Sequence, residues 1–211
     1  MSAAGADAPL VLSLGQQPYT ETFTAMRAFT ESRQRGSRDE IWLLEHPRVF
    51  TLGQAGKPEH LLAPGDIPVV QSNRGGQVTY HGPGQLVAYV MLDLQGRGYG
   101  IRRLVTRIEN ALIACMADFG ITASARRDAP GVYLDDGRKL ASLGLRVSRG
   151  FCYHGLALNV AMNLEPFQRI NPCGYAGLQV AQLSEIGGPK TVIDAEHSLI
   201  PHLRDFLYAP D

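Results

Sequence analysis

The sequence predicts a single α/β domain, and three observations indicate it. The chain has 211 residues, a length that suits one domain with a sizeable core. A nearly continuous apolar run over 85–94 is typical of a strand that is buried on both faces of a sheet. Amphipathic periodicity over 101–119, followed by Gly120, predicts a helix. The sequence contains no repeat, low-complexity tract or linker, so residues 10–211 are assigned to one domain.

Local patterns predict the elements of the first half. Phe23 and Met26 lie at near-helical spacing in a stretch that Gly36 ends, so a helix is predicted over 18–35. The Gly- and Pro-rich residues 53–68 predict a loop with one short helical turn. Short apolar runs between turn residues predict the strands. These strands cover 10–14, 41–44, 49–52, 69–71 and 85–94.

The second half predicts a β-meander and a closing helix. Asp136-Gly137 is a strong hairpin signal, and residues 161–178 are irregular in pattern. Thr191 is the expected N-cap of the last helix, with Asp194 three residues later, and Pro201 is a candidate break or kink. The predicted elements are strands over 131–134, 139–147 and 151–160 and a helix over 191–207.

Composition and charge exclude several classes of partner. Lys plus Arg and Asp plus Glu each number 20, so no overall field favours nucleic acid or a membrane surface. The apolar run over 86–92 is far shorter than the roughly 20 residues of a membrane helix. Residues 1–9 lack the parts of a signal peptide and are expected to form a disordered leader. The three cysteines form no paired framework, so a cytoplasmic location is expected.

A candidate nucleophile lies in the segment Asn171-Pro-Cys-Gly174. Pro172 and Gly174 place Cys173 in a turn, where a substrate can reach its thiol. The thiolate is the reactive form, and a nearby cation would raise its small population at neutral pH. A loop cysteine considered alone is more often a packing residue, so this segment by itself leaves both interpretations open.

Lys139 is a candidate partner for that thiol. It follows the 136–137 hairpin and precedes Leu140-Ala-Ser-Leu-Gly144, so its side chain could point inward from the sheet edge. A buried lysine has a lowered pKa and can accept a proton. The alternative is a solvated lysine at the end of a hairpin, which is the more common situation for a lone lysine.

A glycine-rich segment over 74–85 is a candidate ligand-binding loop. Its glycines allow the backbone to approach a ligand closely. Arg74 could bind an anion, and Tyr80 and His81 could line a pocket. The segment lacks the Lys-Ser/Thr end of a phosphate-binding loop, and a tight β-hairpin before the long strand is the alternative interpretation.

Two other chemistries find no support in the sequence. His46, His81 and His154 are widely spaced and lie in no metal-type motif, so no metal site is predicted. The chain also lacks the Gly-x-Ser-x-Gly segment of a serine hydrolase.

Five segments, taken in order, resemble the lipoyl(octanoyl) transferase family. Each is weak alone, but together they cover residues 42–174. The resemblance implies the fold of lipoate and biotin protein ligases, an α/β (α+β-like) mixed sheet flanked by helices. The segments are Trp42-Leu-Leu-Glu-His-Pro47 through Thr51-Leu-Gly53, Arg74-Gly-Gly-Gln-Val-Thr-Tyr-His-Gly-Pro-Gly-Gln85, Lys139-Leu-Ala-Ser-Leu-Gly144, Tyr153-His-Gly-Leu-Ala-Leu-Asn-Val160 and Asn171-Pro-Cys-Gly174.

The resemblance also implies a reaction. Cys173 would attack the thioester of octanoyl-acyl carrier protein, with Lys139 as the general base. A lysine on the lipoyl domain of a 2-oxoacid dehydrogenase, or on the glycine cleavage H protein, would then take the octanoyl group. Transfer from thioester to amide runs downhill, so neither ATP nor a metal is expected. The residues implied to bind the acyl substrate are Arg74, Gly75, Gly76, Gln77, Val78, Thr79, Tyr80, His81, Ser142, Leu143, Gly144, Gly155, Leu156 and Ala157.

Two alternative functions stay open at this point. An ATP-dependent lipoate or biotin ligase of the same fold would use a lysine to bind its adenylate and would need no nucleophilic cysteine. A non-catalytic module would only hold an acyl carrier or a lipoylated domain. Because such carriers are typically acidic, several arginines are candidate docking residues, with a solvated helix face as the alternative. These arginines are Arg97, Arg102, Arg103, Arg107, Arg126 and Arg127.

Overall fold

The computed structural model describes residues 8–172 and 177–208. Residues 1–7 of the predicted leader and Cys173 therefore lie outside the described residues. Within these ranges the helices are α1 (Tyr19–Ser32), α2 (Ile101–Ala117) and α3 (Val192–Tyr208). The strands are β1 (Leu10–Gln16), β2 (Glu40–Glu45), β3 (Val49–Leu52), β4 (Val69–Gln71), β5 (Val78–His81), β6 (Gln85–Met91), β7 (Ala123–Ala125), β8 (Gly131–Leu134), β9 (Lys139–Ser148) and β10 (Phe151–Asn159).

A seven-stranded mixed sheet forms the centre of the molecule, in the order β1-β2-β6-β10-β9-β8-β7. Strands β1 and β2 pair in parallel, whereas the other neighbours pair antiparallel. A smaller sheet has the order β4-β3-β5, with β3 parallel to β4 and antiparallel to β5. The predicted α/β fold with a mixed sheet is therefore confirmed.

Strand β6 shows why its sequence is continuously apolar. Leu86 and Ala88 belong to the core that α2 and α3 cover. Val87 and Tyr89 belong instead to the core around Met26 of α1. Successive side chains of a strand point to opposite faces. Helices therefore flank the sheet on both sides, with α1 on one face and α2 and α3 on the other.

The closing helix has the predicted start but not the predicted break. The Thr191 hydroxyl accepts a hydrogen bond from the Asp194 backbone N–H (3.1 Å) and donates one to its carboxylate (2.6 Å), so Thr191 caps α3. The helix then continues through Pro201. Leu199 and Leu203 are fully buried beside the proline. Their packing offsets the backbone hydrogen bond that the proline cannot donate.

Three further differences from the expectation have local causes. Helix α1 ends at Ser32 rather than at 35, because Arg33 has an extended backbone and its guanidinium binds the buried Asp39 carboxylate at 2.6 Å. Strand β5 lies within the glycine-rich segment, where pairing with β3 holds it extended. Strand β7 has the sequence Ala-Ser-Ala, which has little intrinsic strand preference and depends on pairing with β8.

Candidate active site

A cavity of about 360 Å³ lies between the two sheets and the first turn of α2. Every residue implied to bind the acyl substrate lines it, with the exception of Tyr80. Further wall comes from α1, β6, α2, the loop before β8 and two more residues of β9 and β10, and of these residues only His154 lies in one of the five segments named above. These additional lining residues are Tyr19, Val87, Tyr89, Ile101, Val105, Asp128, Ala129, Pro130, Leu145 and His154.

Tyr80 lies on the other side of β5, away from the cavity. Its ring packs between Phe50 and Phe167, with centroid distances of 5.5 and 5.4 Å. Thr79 and His81 face the cavity instead, because neighbouring residues of a strand point to opposite faces. The expectation that Tyr80 lines the pocket is therefore corrected, and the tyrosine belongs to the core of the small sheet.

Glycines let the loop after β4 lie directly on the main sheet. Gly144 of β9 pairs with Gly155 of β10. A Cβ atom on Gly155 would lie 1.9 Å from the Ala88 carbonyl oxygen, and one on Gly144 would lie 3.0 Å from the Gly75 carbonyl oxygen. The Gly75 N–H donates to the carbonyl of Leu145 at 3.0 Å. This N–H is therefore engaged with the main sheet.

Arg74 holds the cavity loop against β3. Its guanidinium donates to the Thr51 carbonyl at 2.6 Å and to the Thr51 hydroxyl from Nε at 3.1 Å. The same hydroxyl lies 3.4 Å from His81 Nε2, which is the ring nitrogen left to accept because Nδ1 faces the Gln85 side-chain oxygen. His81 Nδ1 then donates to the Gln85 side chain at 2.8 Å. The proposed anion-binding arginine is therefore also the anchor of a buried polar chain.

The buried polar chain ends beside Lys139. Gln85 Nε2 donates to Asn159 Oδ1 at 3.0 Å, and Asn159 Nδ2 donates to the carbonyl of Ala181 at 2.9 Å. The N–H of Ala181 in turn donates to the Lys139 carbonyl at 2.9 Å. Buried polar groups in a fully bonded network fix their positions strongly. This chain thus ties the cavity loop to the strand that carries the lysine.

Three histidines beside the cavity are held in the neutral form. Burial lowers the pKa of His46 to about 4, and burial with the nearby Arg74 charge lowers the pKa of His154 to about 3. Burial also lowers the pKa of His81 well below its ordinary value. The rings of His46 and His81 pack against Tyr19, with centroid distances of 5.1 and 5.9 Å, and the ring of His154 stacks on Tyr153 at 5.0 Å. Among the residues that the structure describes, no three His, Cys, Asp or Glu side chains are grouped to hold a metal ion.

Lys139 is buried, not solvated. Its side chain is 2% exposed, and its amine donates to the carbonyl of Pro130 at 3.0 Å. The amine also lies 5.1 Å from the centre of the Tyr133 ring. Because Pro130 lines the cavity, the amine sits directly behind the cavity wall. Of the two interpretations of this lysine, the structure supports the inward one.

Cys173 itself is outside the described residues, but its flanking segments are anchored. Before it, the Asn171 N–H donates to the His60 carbonyl at 2.9 Å. After it, Val180 forms a parallel bridge with Lys139. The chain that leaves Cys173 therefore returns within seven residues to pair with the backbone of Lys139.

Glu109 and Gly131 surround the lysine, and neither is predicted from the sequence. Glu109 Oε1 accepts a hydrogen bond from the Gly131 N–H at 2.9 Å and is almost fully buried. Gly131 has φ +144°, and a Cβ atom there would lie 2.6 Å from Lys139 Cε. The one sequence feature that points to Glu109 is its position between Val105 and Leu112 on the apolar side of α2, where a charged residue is unusual.

The candidate docking arginines divide into two sets. Arg97 binds the Asp39 carboxylate, and Arg107 donates to the carbonyl of Phe206. Both are turned inward, so the idea that they belong to a docking face is corrected. The other four are exposed on the segments that form the α2 and β8 sides of the cavity. They are Arg102, Arg103, Arg126 and Arg127.

Two octanoyltransferases are similar to this chain in sequence over most of their length. An octanoyltransferase of Pseudomonas putida (strain W619) is 65% identical over 176 residues, covering 83% of this chain and 81% of the relative. An octanoyltransferase of Marinobacter nauticus is 59% identical over 194 residues, covering 92% of this chain and 91% of the relative.

Solved structures show the same fold at low sequence identity. A bipartite lipoate protein ligase of Thermoplasma acidophilum superposes with a TM-score of 0.79 at 16% identity, over 95% of this chain and 84% of the other. The biotin protein ligase of Aquifex aeolicus gives a TM-score of 0.55 at 11% identity, over 95% and 69%. Residues 18–203 match the lipoyl protein ligase A/B catalytic domain. The family predicted from the motifs is thus confirmed, and the chain belongs to the lipoyl protein ligase A/B catalytic-domain family.

Proposed function

We propose that this protein transfers an octanoyl group from octanoyl-acyl carrier protein to a lysine of a lipoyl-carrier domain, through a thioester on Cys173. One observation carries the proposal. The buried amine of Lys139 lies behind the wall of a largely apolar cavity, and its backbone is bonded to the segment that follows Cys173. The names of the octanoyltransferase relatives support the identity of the acyl group.

The first half-reaction loads the enzyme. The Cys173 sulfur attacks the thioester carbonyl of the octanoyl carrier while its proton passes to the Lys139 amine. The bond between the acyl carbon and the carrier sulfur then breaks. Lys139 returns the proton to the leaving sulfur, so the carrier departs as a free thiol and octanoyl remains on Cys173.

The second half-reaction delivers the octanoyl group to the acceptor. The neutral ε-amine of the acceptor lysine attacks the Cys173 thioester, and Lys139 takes the proton that the new amide nitrogen must lose. The carbon–sulfur bond breaks, and Lys139 gives that proton to Cys173. Thioester exchange is nearly thermoneutral and amide formation is downhill, so we propose that neither ATP nor a metal takes part.

The cavity supplies the binding energy for the acyl chain. Val87, Val105, Leu143 and Leu156 are among its apolar walls. Burying the roughly seven CH₂ and CH₃ groups of an octanoyl chain, at about 0.8 kcal/mol each, stabilises the complex by at most about 6 kcal/mol. That energy is available in both half-reactions, because the acyl group stays in place while the two carrier proteins exchange.

The two macromolecular substrates are proposed to dock beside the cavity in turn. The exposed arginines at positions 102, 103, 126 and 127 would attract acidic carrier domains there, which include the lipoyl domains of 2-oxoacid dehydrogenases and the glycine cleavage H protein. No helix within the described ranges is long and apolar enough to cross a membrane. Neither nucleic acid nor membrane is proposed as a partner, and a cytoplasmic location is part of the proposal.

Mass spectrometry of the intact protein tests the function. The purified chain is incubated with octanoyl-acyl carrier protein in the absence of ATP. We expect one octanoyl adduct, mapped to Cys173, that disappears when an acceptor lipoyl domain is added. Octanoylation of the acceptor domain that requires ATP and proceeds without an adduct on Cys173 would support the ligase alternative. A Cys173→Ser variant that keeps full biological activity would support the non-catalytic module.

Two other cysteines provide an internal control. Burial raises the pKa of Cys115 and of Cys152 to about 12, so neither thiol is ionised at neutral pH. A Cys115→Ala variant should therefore acylate like the wild type, whereas Cys173→Ala should form no adduct. An adduct on Cys115 or Cys152 would contradict the assignment of the nucleophile.

A further inference from the structure

We propose that Glu109 is a positioning residue for Lys139, acting through the peptide group between Pro130 and Gly131. The inference rests on the proposed function, in which the Lys139 amine carries protons for Cys173. The carboxylate on α2 and the lysine on β9 bind the two ends of one peptide group. The N–H of this peptide group donates to the Glu109 carboxylate at 2.9 Å, and its carbonyl oxygen accepts a hydrogen bond from the Lys139 amine at 3.0 Å.

This arrangement polarises the peptide. A carboxylate that accepts the N–H draws its hydrogen and leaves more negative charge on the carbonyl oxygen. The carbonyl is then a stronger acceptor for an ammonium group, and hydrogen bonds with charged partners are among the strongest in proteins. Glu109 thereby favours the protonated form of Lys139 and fixes the place where the amine sits.

The glycine at position 131 is what allows the lysine to lie against that peptide. A Cβ atom at Gly131 would be 3.1 Å from Lys139 Nζ, so the amine is in contact with the peptide backbone. Tyr133 closes the other side of the amine with its ring, while its hydroxyl donates to the carbonyl of Ala129 at 2.9 Å. The lysine therefore has a defined position within a rigid wall.

The carboxylate responds electrostatically to the lysine. Burial raises the pKa of Glu109, whereas the hydrogen bond from Gly131 and the positive charge of Lys139 act in the opposite direction. Other charged or ionisable groups also face this region. They are Arg126, which lies over the Tyr133 ring, and Asp128 at the cavity edge.

Glu109→Gln separates charge from hydrogen bonding. The glutamine oxygen can still accept the Gly131 N–H, so the local structure is retained, but the negative charge is lost. The ammonium form of Lys139 then becomes less favourable and the pKa of the amine falls. We expect the acid limb of the pH profile of Cys173 octanoylation, measured in a single turnover, to move down by about one pH unit. Glu109→Ala also removes the acceptor for the Gly131 N–H, so it should shift the pH profile and also slow Cys173 octanoylation at least about tenfold.

Glu196→Gln is the matched control. Glu196 is also a buried carboxylate on a helix, but it lies on α3, outside the cavity. It accepts a hydrogen bond from the Ser13 hydroxyl at 2.8 Å. Loss of its charge should leave the pH profile unchanged. A Glu109→Gln profile that superposes on that of the wild type would overturn the proposal while leaving the proposed transfer intact.

A second measurement does not depend on catalysis. The chain has three lysines, at positions 57, 139 and 190, so the ¹³Cε signal of Lys139 can be assigned with a Lys139→Arg variant and titrated by NMR. We expect the midpoint to be lower in Glu109→Gln than in the wild type. Equal midpoints would reject the role of Glu109 even if no octanoyl adduct ever forms on Cys173, an outcome that would separately reject the proposed function.

Discussion

Gly131→Ala should slow catalysis by moving the Lys139 amine, beyond any effect of its lower stability. Gly131 has φ +144°, and its new methyl carbon would lie 2.5 Å from the Ala141 carbonyl oxygen and 2.6 Å from Lys139 Cε. The carbonyl belongs to paired strand β9 and cannot move freely, so the backbone at position 131 has to shift together with the lysine that contacts it. The backbone conformation should destabilise the fold by about 1–3 kcal/mol. A displacement of the amine by about 1 Å should slow Cys173 octanoylation about 100-fold.

The assay measures adduct formation on Cys173 in a single turnover, together with urea unfolding of the same sample. Gly187→Ala is the control, because Gly187 has φ +89° but a Cβ atom there would have no neighbouring atom within 4 Å. That variant should lose comparable stability without losing acylation rate. If Gly131→Ala acylates Cys173 at the wild-type rate, the placement of Lys139 does not control the chemistry and the reasoning fails.

Three further changes test the cavity and its polar surroundings. Ala157→Leu fills part of the cavity, so the rate of octanoyl transfer should fall at least about fourfold relative to that of hexanoyl transfer, which is the factor for displacing one CH₂ group. Competition between the octanoyl and hexanoyl thioesters measures this ratio. His46 and His154 are neutral in the folded protein but become protonated in the unfolded chain below about pH 6.5. The free energy of unfolding should therefore decrease as the pH is lowered below that value, by about 3 kcal/mol at pH 4 for His46 alone, and urea unfolding midpoints measure the decrease. Thr51→Val removes the hydroxyl that accepts from Nε of Arg74 and should lower the free energy of unfolding by about 1–3 kcal/mol, whereas an unchanged value would contradict the buried polar chain.

The fold was largely predictable because its strongest signals are local. Continuous apolarity predicts β6, and the structure shows the reason: α1 covers one face while α2 and α3 cover the other. The Asp136-Gly137 hairpin and the Thr191 cap also depend on neighbouring residues. Strand β7 was missed because its Ala-Ser-Ala sequence depends on a partner strand.

The environment of Lys139 could not be predicted because it is made by distant segments. Its amine is bound by the peptide before Gly131, and its backbone by the residues around Val180. A lysine that follows a hairpin has the same local sequence whether it is buried or solvated. The helical carboxylate of Glu109 and the φ angle of Gly131 are likewise fixed by tertiary contacts, so the positioning apparatus exists only once the three segments are assembled.

The same contacts explain why a lysine and not a histidine is suited to receive the Cys173 proton. His46 Nδ1 donates to the Gln17 carbonyl at 2.6 Å and its Nε2 accepts from the Tyr89 hydroxyl at 2.7 Å. A ring with both nitrogens engaged has no free position for a proton, and burial already holds the pKa of His46 at about 4. Lys139 instead contacts a peptide carbonyl, an acceptor that stabilises the ammonium as it forms. His46 thus stays neutral, and Lys139 is the group whose surroundings favour gaining a proton.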